Sequence, residues 1–397
     1  MRYVLTVVVL TALAAPAAAQ PAPWEPERLD AGWIFRPAIV LGGMWDSNVT
    51  VRNDPNNLNP EIAEWVGIVN PRGSIDFNGK RAKFNAGYSG RLETYRTLDE
   101  LTRYDQRGRV DASYLMTPRL TFNTRHQLTL APSTDQLETL SGIPFTRVGS
   151  TMMTSGGGFT AALTRRMKLA TSYAFQWVEF DRDPRFQRLR GGHQHSPSVE
   201  LKYAFSRRLD VGGAWMYHHA SIDGAEEIID SQQGAVVAEY VLGPETKIRG
   251  MAGAAYLRVA ETGESRTGPA YGASVSHLIR EVAIDGGFDR SFVPSFGFGG
   301  MTAKQEVYAR VHVPFARGRM FASGGVAFRR NTPVLTTSFP IELSTTWTNG
   351  TFGYAITRWL RTEAFVTVNH QTSSAQGNVD RTRVGIQFVT SKPMRIQ

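Results

Sequence analysis

Short breaks recur along this chain at a near-constant interval, and two long stretches of alternating apolar and polar residues lie between each pair. The breaks fall at Asn78-Gly79, Pro118, Arg165-Arg166, Arg207-Arg208, Gly243-Pro244, Arg280-Glu281, Arg317-Gly318 and Arg358. Their spacing, roughly 36 to 47 residues, leaves room for two strands of about a dozen residues and one longer loop. Tight turn, long strand, long loop, long strand is the repeating unit of an outer-membrane β-barrel.

The alternation supports that reading. Residues 120–130 place Leu120, Phe122, His126 and Leu128 on one face and Thr121, Asn123, Arg125 and Gln127 on the other. In 83–94, Phe84, Tyr88 and Leu92 oppose Lys83, Arg91 and Glu93, and in 104–116, Val110 and Tyr114 oppose Arg107, Arg109 and Asp111. A helix would scatter these residues around its circumference; a strand separates them. In water such aromatic faces would need a second layer, and no helical pattern is present to supply one. Lipid suits them better, because a closed barrel satisfies its own backbone.

Eighteen strands are predicted, from 33–45 to 380–390, with 16 as the alternative. The fold class is therefore all-β: a transmembrane antiparallel up-and-down barrel over residues 32–397, without a plug domain. An even strand number puts both termini on one side, the periplasmic one. A barrel this size is wide enough for an aqueous channel.

The amino terminus has one positive charge at Arg2, an apolar run from Val4 to Ala14, and Ala17-Ala18-Ala19. This predicts a secretory signal over residues 1–19, with 20–31 a short periplasmic segment. No other segment has 18 consecutive apolar residues, so no transmembrane helix is expected. With no cysteine in the chain, neither disulfides nor a lipidated cysteine can contribute.

The formal net charge of +9 is unevenly distributed. Lys80, Arg81, Arg119, Arg165, Arg166, Arg207, Arg208, Lys247, Arg280, Arg317, Arg319 and Arg358 crowd the short turns. Asp46, Asp54, Glu61, Glu64, Asp99, Glu100, Asp135, Glu138, Asp181, Asp183, Glu226, Glu227, Glu261 and Glu264 are assigned to the long loops. Short turns face the periplasm in this architecture. The expected partners are outer-membrane lipid, with phospholipid phosphates beside the turns, and lipopolysaccharide with its divalent cations beside the loops. No nucleic-acid-binding pattern is visible. Trp45, Trp65, Tyr95 and Tyr104 flank the first two long loops and are expected to form an interfacial girdle.

The chain has no nucleophile elbow, zinc-protease motif or Walker loop, and no enzyme is predicted. Phe296-Gly297-Phe298-Gly299-Gly300 has no helix after it and reads as a loop. Pairing symmetric about residue 207 sets His195 opposite His219 on the lipid face. Such a pair could bind Zn²⁺ or Cu²⁺, but an interfacial pair is the plainer reading, and no metal or cofactor is assigned. The expected pore-lining row is Lys83, Arg91, Glu93, Arg107, Arg109, Asp111, Arg125, Glu200, Lys202, Asp285, Glu306, Arg310, Arg361, Glu363 and Arg383. Its basic excess in the third to fifth strands points to anionic or sugar-acid solutes. Cross-strand pairing that stiffens the wall is the structural reading of the same charges, and both can hold.

The segment Phe35-Arg36-Pro37-Ala38-Ile39-Val40-Leu41 through Trp45-Asp46-Ser47-Asn48 resembles the first strand of a particular family. These are outer-membrane β-barrel porins associated with capsular and exopolysaccharide biosynthesis, whose first strand ends in an aromatic-Asp-x-Asn signature. Asn70-Pro71, the turn at Asn78-Gly79, and Tyr88 and Tyr95 extend the likeness. The resemblance implies a channel assisting export of a polysaccharide, or passage of its fragments. The alternatives are a barrel plugged by loop 46–64 or 132–146 that serves as adhesin or scaffold, and a general diffusion porin. In one departure from the family, the chain ends Pro393-Met394-Arg395-Ile396-Gln397, without the terminal aromatic that barrel-insertion machinery recognises. Either Phe388 fills that role or the last strand lies elsewhere.

Overall fold

The computed structural model describes residues 32–51, 61–131, 148–181, 189–223, 227–297, 299–334, 342–374 and 377–396. Eighteen long strands follow one another in chain order. They are β1 (Gly32–Asp46), β2 (Glu64–Asn78), β3 (Ala82–Tyr95), β4 (Arg103–Thr117), β5 (Leu120–Ala131), β6 (Ser150–Ala162), β7 (Met167–Phe180), β8 (Gly192–Ala204) and β9 (Leu209–Ile222). The second half holds β10 (Glu227–Gly243), β11 (Thr246–Val259), β12 (Ser265–Ile279), β13 (Val282–Pro294), β14 (Met301–Phe315), β15 (Met320–Pro333), β16 (Leu343–Ala355), β17 (Leu360–Ser373) and β18 (Gly377–Ser391). A three-residue β19 (Met394–Ile396) extends the last strand and pairs with Trp33–Phe35 of β1. All neighbours are antiparallel, and β1 closes the ring by pairing with both β2 and β18. Every predicted break is a turn between strands. β10 and β18 are longer than predicted, and β19 was not foreseen.

Alternation sorts the side chains as expected. Val236, Trp215, Phe328 and Ile386 project outward and are exposed, while their sequence neighbours point inward. An exposed apolar belt around a closed wall is a surface for hydrocarbon, not water. Val236, in mid-strand, is 62% exposed. Val236→Arg should therefore destabilise the protein by about 2–4 kcal/mol in urea unfolding from lipid vesicles. No change there would mean this face does not meet lipid.

The Asp46-Ser47-Asn48 motif closes the barrel. Arg381 of β18 grips Asp46 with Nε at 3.1 Å from both carboxylate oxygens and a terminal nitrogen at 2.6 Å from Oδ2. Ser47 N–H donates to Thr382 O at 2.9 Å, and Thr382 N–H donates to Ser47 Oγ at 2.8 Å. Asn48 Nδ2 donates to Asp380 O at 3.1 Å. Asp46 is fully buried, so it is no surface-loop acid. Glu64 is buried as well, and accepts hydrogen bonds from the Thr97 N–H and hydroxyl. Tyr95 also departs from expectation. It faces inward and packs with Met44, Val49, Val66 and Ile68, whereas Trp65 and Tyr104 are exposed.

The wall forks at one seam. β12 pairs with β11 from Ser265 onward but with β13 only from Tyr271↔Arg290 to Ile279↔Val282. Above the fork β13 and β14 stay paired, as far as Pro294↔Met301. That hairpin bends into the barrel. Phe292, Met301 and Ala303, outward by alternation, are buried against the inner wall at Ile222, Ile229, Ala255, Leu257 and Ala270. Gly268 makes the approach possible, since a Cβ there would stand 2.7 Å from the Phe292 ring.

Candidate functional site: the barrel interior

The tip of the β13–β14 hairpin reaches the opposite wall through Phe296 and Gly297. Gly297 and Arg190 exchange two backbone hydrogen bonds of 2.8 and 3.0 Å. Phe296 is buried with Val148, Met152, Val178 and Phe180 on one side and Leu343 on the other. Gly297, Gly299 and Gly300 take φ of 102°, 85° and 74°, a left-handed run that residues with a Cβ rarely adopt. The sequence singled out loops 46–64 and 132–146 as candidate fillers. Residues 52–60 and 132–147 lie outside the described residues, while Val49 and Val51 beside them are buried.

Beneath the hairpin lies a cavity of about 1390 Å³, running from Ser206, Arg207 and Arg208 at the turn end to Phe296. It is lined by residues of β2 through β15 and of the connections between them, with none from β1 or β16–β18. Lys83, Asp111, Arg125, Glu200, Lys202, Glu306 and Arg310 of the predicted row lie on it. Arg91, Glu93, Arg107, Arg109, Asp285, Arg361, Glu363 and Arg383 point inward by register but do not line it. Arg361 and Glu363 are buried together at 2.5 Å, and Arg91 pairs with Glu93 at 2.7 Å.

Most of the lining charges form networks. Lys202 bridges Glu200 at 3.0 Å and Glu239 at 2.8 Å, and Arg249 reaches Glu200 at 2.6 Å. Lys304 bridges Asp289 at 3.0 Å and Glu306 at 3.2 Å, and Arg329 adds a contact to Glu306 at 3.0 Å. Asp111 accepts from both Arg125, at 2.5 Å, and Arg109. Pairing is what burial demands, because a buried charge without a partner costs several kcal/mol (about 3–5). The two readings of these charges, wall-stiffening and pore-lining, therefore meet in the same residues. Arg310 lies over the Tyr308 ring at 5.1 Å.

One tract of the lining is uncharged. On β7–β9 the Ser172 and Ser198 hydroxyls meet at 2.6 Å, and Gln194 donates to Ser196 at 2.9 Å. His218 Nδ1 lies 2.8 Å from the Ser196 hydroxyl. Arg249, Glu239, Lys304 and Lys168 were not anticipated. Each obeys the two-residue alternation that marked the others, so the signal was present.

His195 and His219 are direct cross-strand partners, with ring centroids 6.2 Å apart. His195 Nδ1 lies 2.6 Å from the Tyr173 hydroxyl and His219 Nδ1 lies 2.8 Å from Asp230. Among the described residues no three metal-ligating groups converge.

No protein-family model matches the chain, and no curated protein matches it. The likeness to polysaccharide-linked porins therefore rests on the first-strand and first-hairpin residues. Several solved structures are similar in architecture. OccAB4 of Acinetobacter baumannii is 9% identical at a TM-score of 0.46, covering 92% of this chain and 99% of its own. OccK5 (OpdH) of Pseudomonas aeruginosa is 9% identical at 0.46, covering 91% and 98%. The outer membrane protein opdK of P. aeruginosa is 10% identical at 0.46, covering 90% and 99%. Identities this low say nothing about individual residues.

Proposed function

We propose that the protein is a passive outer-membrane channel for small anionic solutes, with its turns and both termini in the periplasm. The observation that carries this reading is the charge of the cavity. Eleven Lys and Arg side chains line it against seven Asp and Glu, so its field favours anions even after the acids are paired. Beside them, the hydroxyl and amide tract of β7–β9 can exchange hydrogen bonds with a polyhydroxylated solute. Sugar acids and short acidic saccharides combine both chemistries, and the first-strand resemblance points the same way. Export of an intact polymer would require the hairpin to leave the lumen.

A second reading, a closed barrel acting as scaffold or adhesin, is favoured by that same hairpin with its apolar anchor. Planar-bilayer recordings separate the two. A channel should give discrete steps and a reversal potential in a KCl gradient that reports anion preference, reduced by Lys83→Gln with Lys168→Gln. Cation preference, or silence in both the parent protein and a variant lacking the tip, would exclude the anion channel. Orientation can be tested separately, because the chain contains no cysteine. On intact cells a membrane-impermeant maleimide should label Thr262→Cys and spare Arg165→Cys.

A further inference from the structure

The turn end of the wall carries a repeated device, of which only Arg207 also lines the cavity. At turn after turn, an exposed apolar residue is followed two positions later by an exposed arginine. Leu163 precedes Arg165, Phe205 precedes Arg207, Phe315 precedes Arg317 and Ile356 precedes Arg358. The four apolar residues are 48%, 70%, 37% and 47% exposed. The lower edge of the apolar belt is thus bordered by exposed guanidinium groups. Only Glu245 and Glu281 are exposed acids at this end among the described residues, whereas the other end exposes Glu100, Glu179, Asp223 and Glu261.

One place in this border is built beyond charge alone. Trp359 presents its ring at the rim, and two cations share it. Arg358 Cζ lies 4.3 Å and Lys392 Nζ 5.0 Å from the ring centroid. The main chain of Trp359 is tied down, its backbone N–H donating to Thr357 Oγ1 at 3.1 Å and its carbonyl accepting from Ser391 N–H at 3.0 Å. Cation–π attraction to the indole restrains both side chains before any ligand arrives, and cations held in this way can donate charge-assisted hydrogen bonds to a phosphate. Exposed Met394 continues the apolar rim beside them.

We propose that this end of the barrel is a collar for anionic phospholipid, with its best-formed headgroup seat at Trp359, Arg358 and Lys392. The ligand is a glycerophospholipid whose phosphate meets the two cations while its acyl chains lie along the belt at Ile356 and Met394. The proposal rests on the membrane-spanning reading above, with the turns at the inner leaflet. Each cation near an anionic lipid surface favours association by about fivefold, and the indole adds geometry that charge alone lacks.

The test uses the full mature chain in nanodiscs holding equal phosphatidylglycerol and phosphatidylcholine, with retained lipids counted by native mass spectrometry. Phosphatidylglycerol should be retained several-fold over phosphatidylcholine. That preference should fall more with Arg358→Gln plus Lys392→Gln than with Arg165→Gln plus Arg207→Gln. Trp359→Leu should also lower it, although no charge changes. Equal retention of the two lipids, or equal loss from both double variants, would overturn the seat. Failure to enter nanodiscs at all would instead strike at the membrane-spanning barrel, and protease-protected insertion without lipid preference at the collar alone.

Discussion

Phe296→Ala should convert a narrow, quiet conductance into a larger and noisier one, and replacement of residues 295–300 by a two-residue turn should enlarge it further. Phe296 is held between the inner faces of β6–β7 and β16. Deleting a buried phenyl ring costs about 3–5 kcal/mol, more than the roughly 1 kcal/mol each contributed by the two backbone bonds at Arg190. The docked hairpin would lose on the order of a hundredfold or more in population against an undocked one. The rest of the hairpin stays fastened through Phe292, Met301 and Ala303, so the variant should fold and insert. Single-channel recordings check the expectation. Identical conductance from parent, point variant and shortened tip would mean that this segment does not control the bore.

Asp46→Ala should lower stability by about 3–5 kcal/mol, because it leaves the buried Arg381 guanidinium without its carboxylate. Arg381 and Asp46 side chains are 2% and 0% exposed. The comparison that decides between burial and mere pairing is Arg330 with Glu342. Their contact is as short, 2.5 Å, but the side chains are 50% and 40% exposed. Breaking that surface pair should change stability by less than about 1 kcal/mol. Replacing Asp46 and Arg381 together by leucine and methionine should restore much of the loss, since the stranded charge is gone. Urea unfolding from vesicles, read by tryptophan fluorescence, measures all three. Equal effects from Asp46→Ala and Glu342→Ala would refute the clasp.

Much of this architecture is legible in the sequence because a barrel strand obeys one rule throughout. Two-residue alternation fixed which side each residue takes, and the turn positions fixed the register well enough to set His195 against His219. The same rule, carried three residues past Leu92, places Tyr95 inward; assigning it by loop position alone put it in the girdle. Alternation names a face but not what stands across from it. Arg361 and Glu363 point inward as expected, yet are buried as a pair away from the cavity. Asp46 and Glu64 sit at strand ends, where a loop acid and a buried acid look alike. The hairpin's inward turn depends on β12 releasing β13, a contact between distant segments. Its local traces are slight. Gly268 leaves room for a ring, and Pro269 has no N–H to offer, which suits a strand with one unpaired margin.

The fork between β12 and β13 also sets a waterline. Bare peptide groups cannot be left in oil, so the margin of β12 above Tyr271 must stand clear of the acyl chains. Below it, nine residues of β12 from Tyr271 to Ile279 keep their partners in β13. At ~3.3 Å per residue and a tilt of roughly 40°, those nine rungs rise about 23 Å, close to the height of the belt such barrels immerse. The depth at which this protein floats is thereby written into its main chain, independently of any side chain that greases its flank.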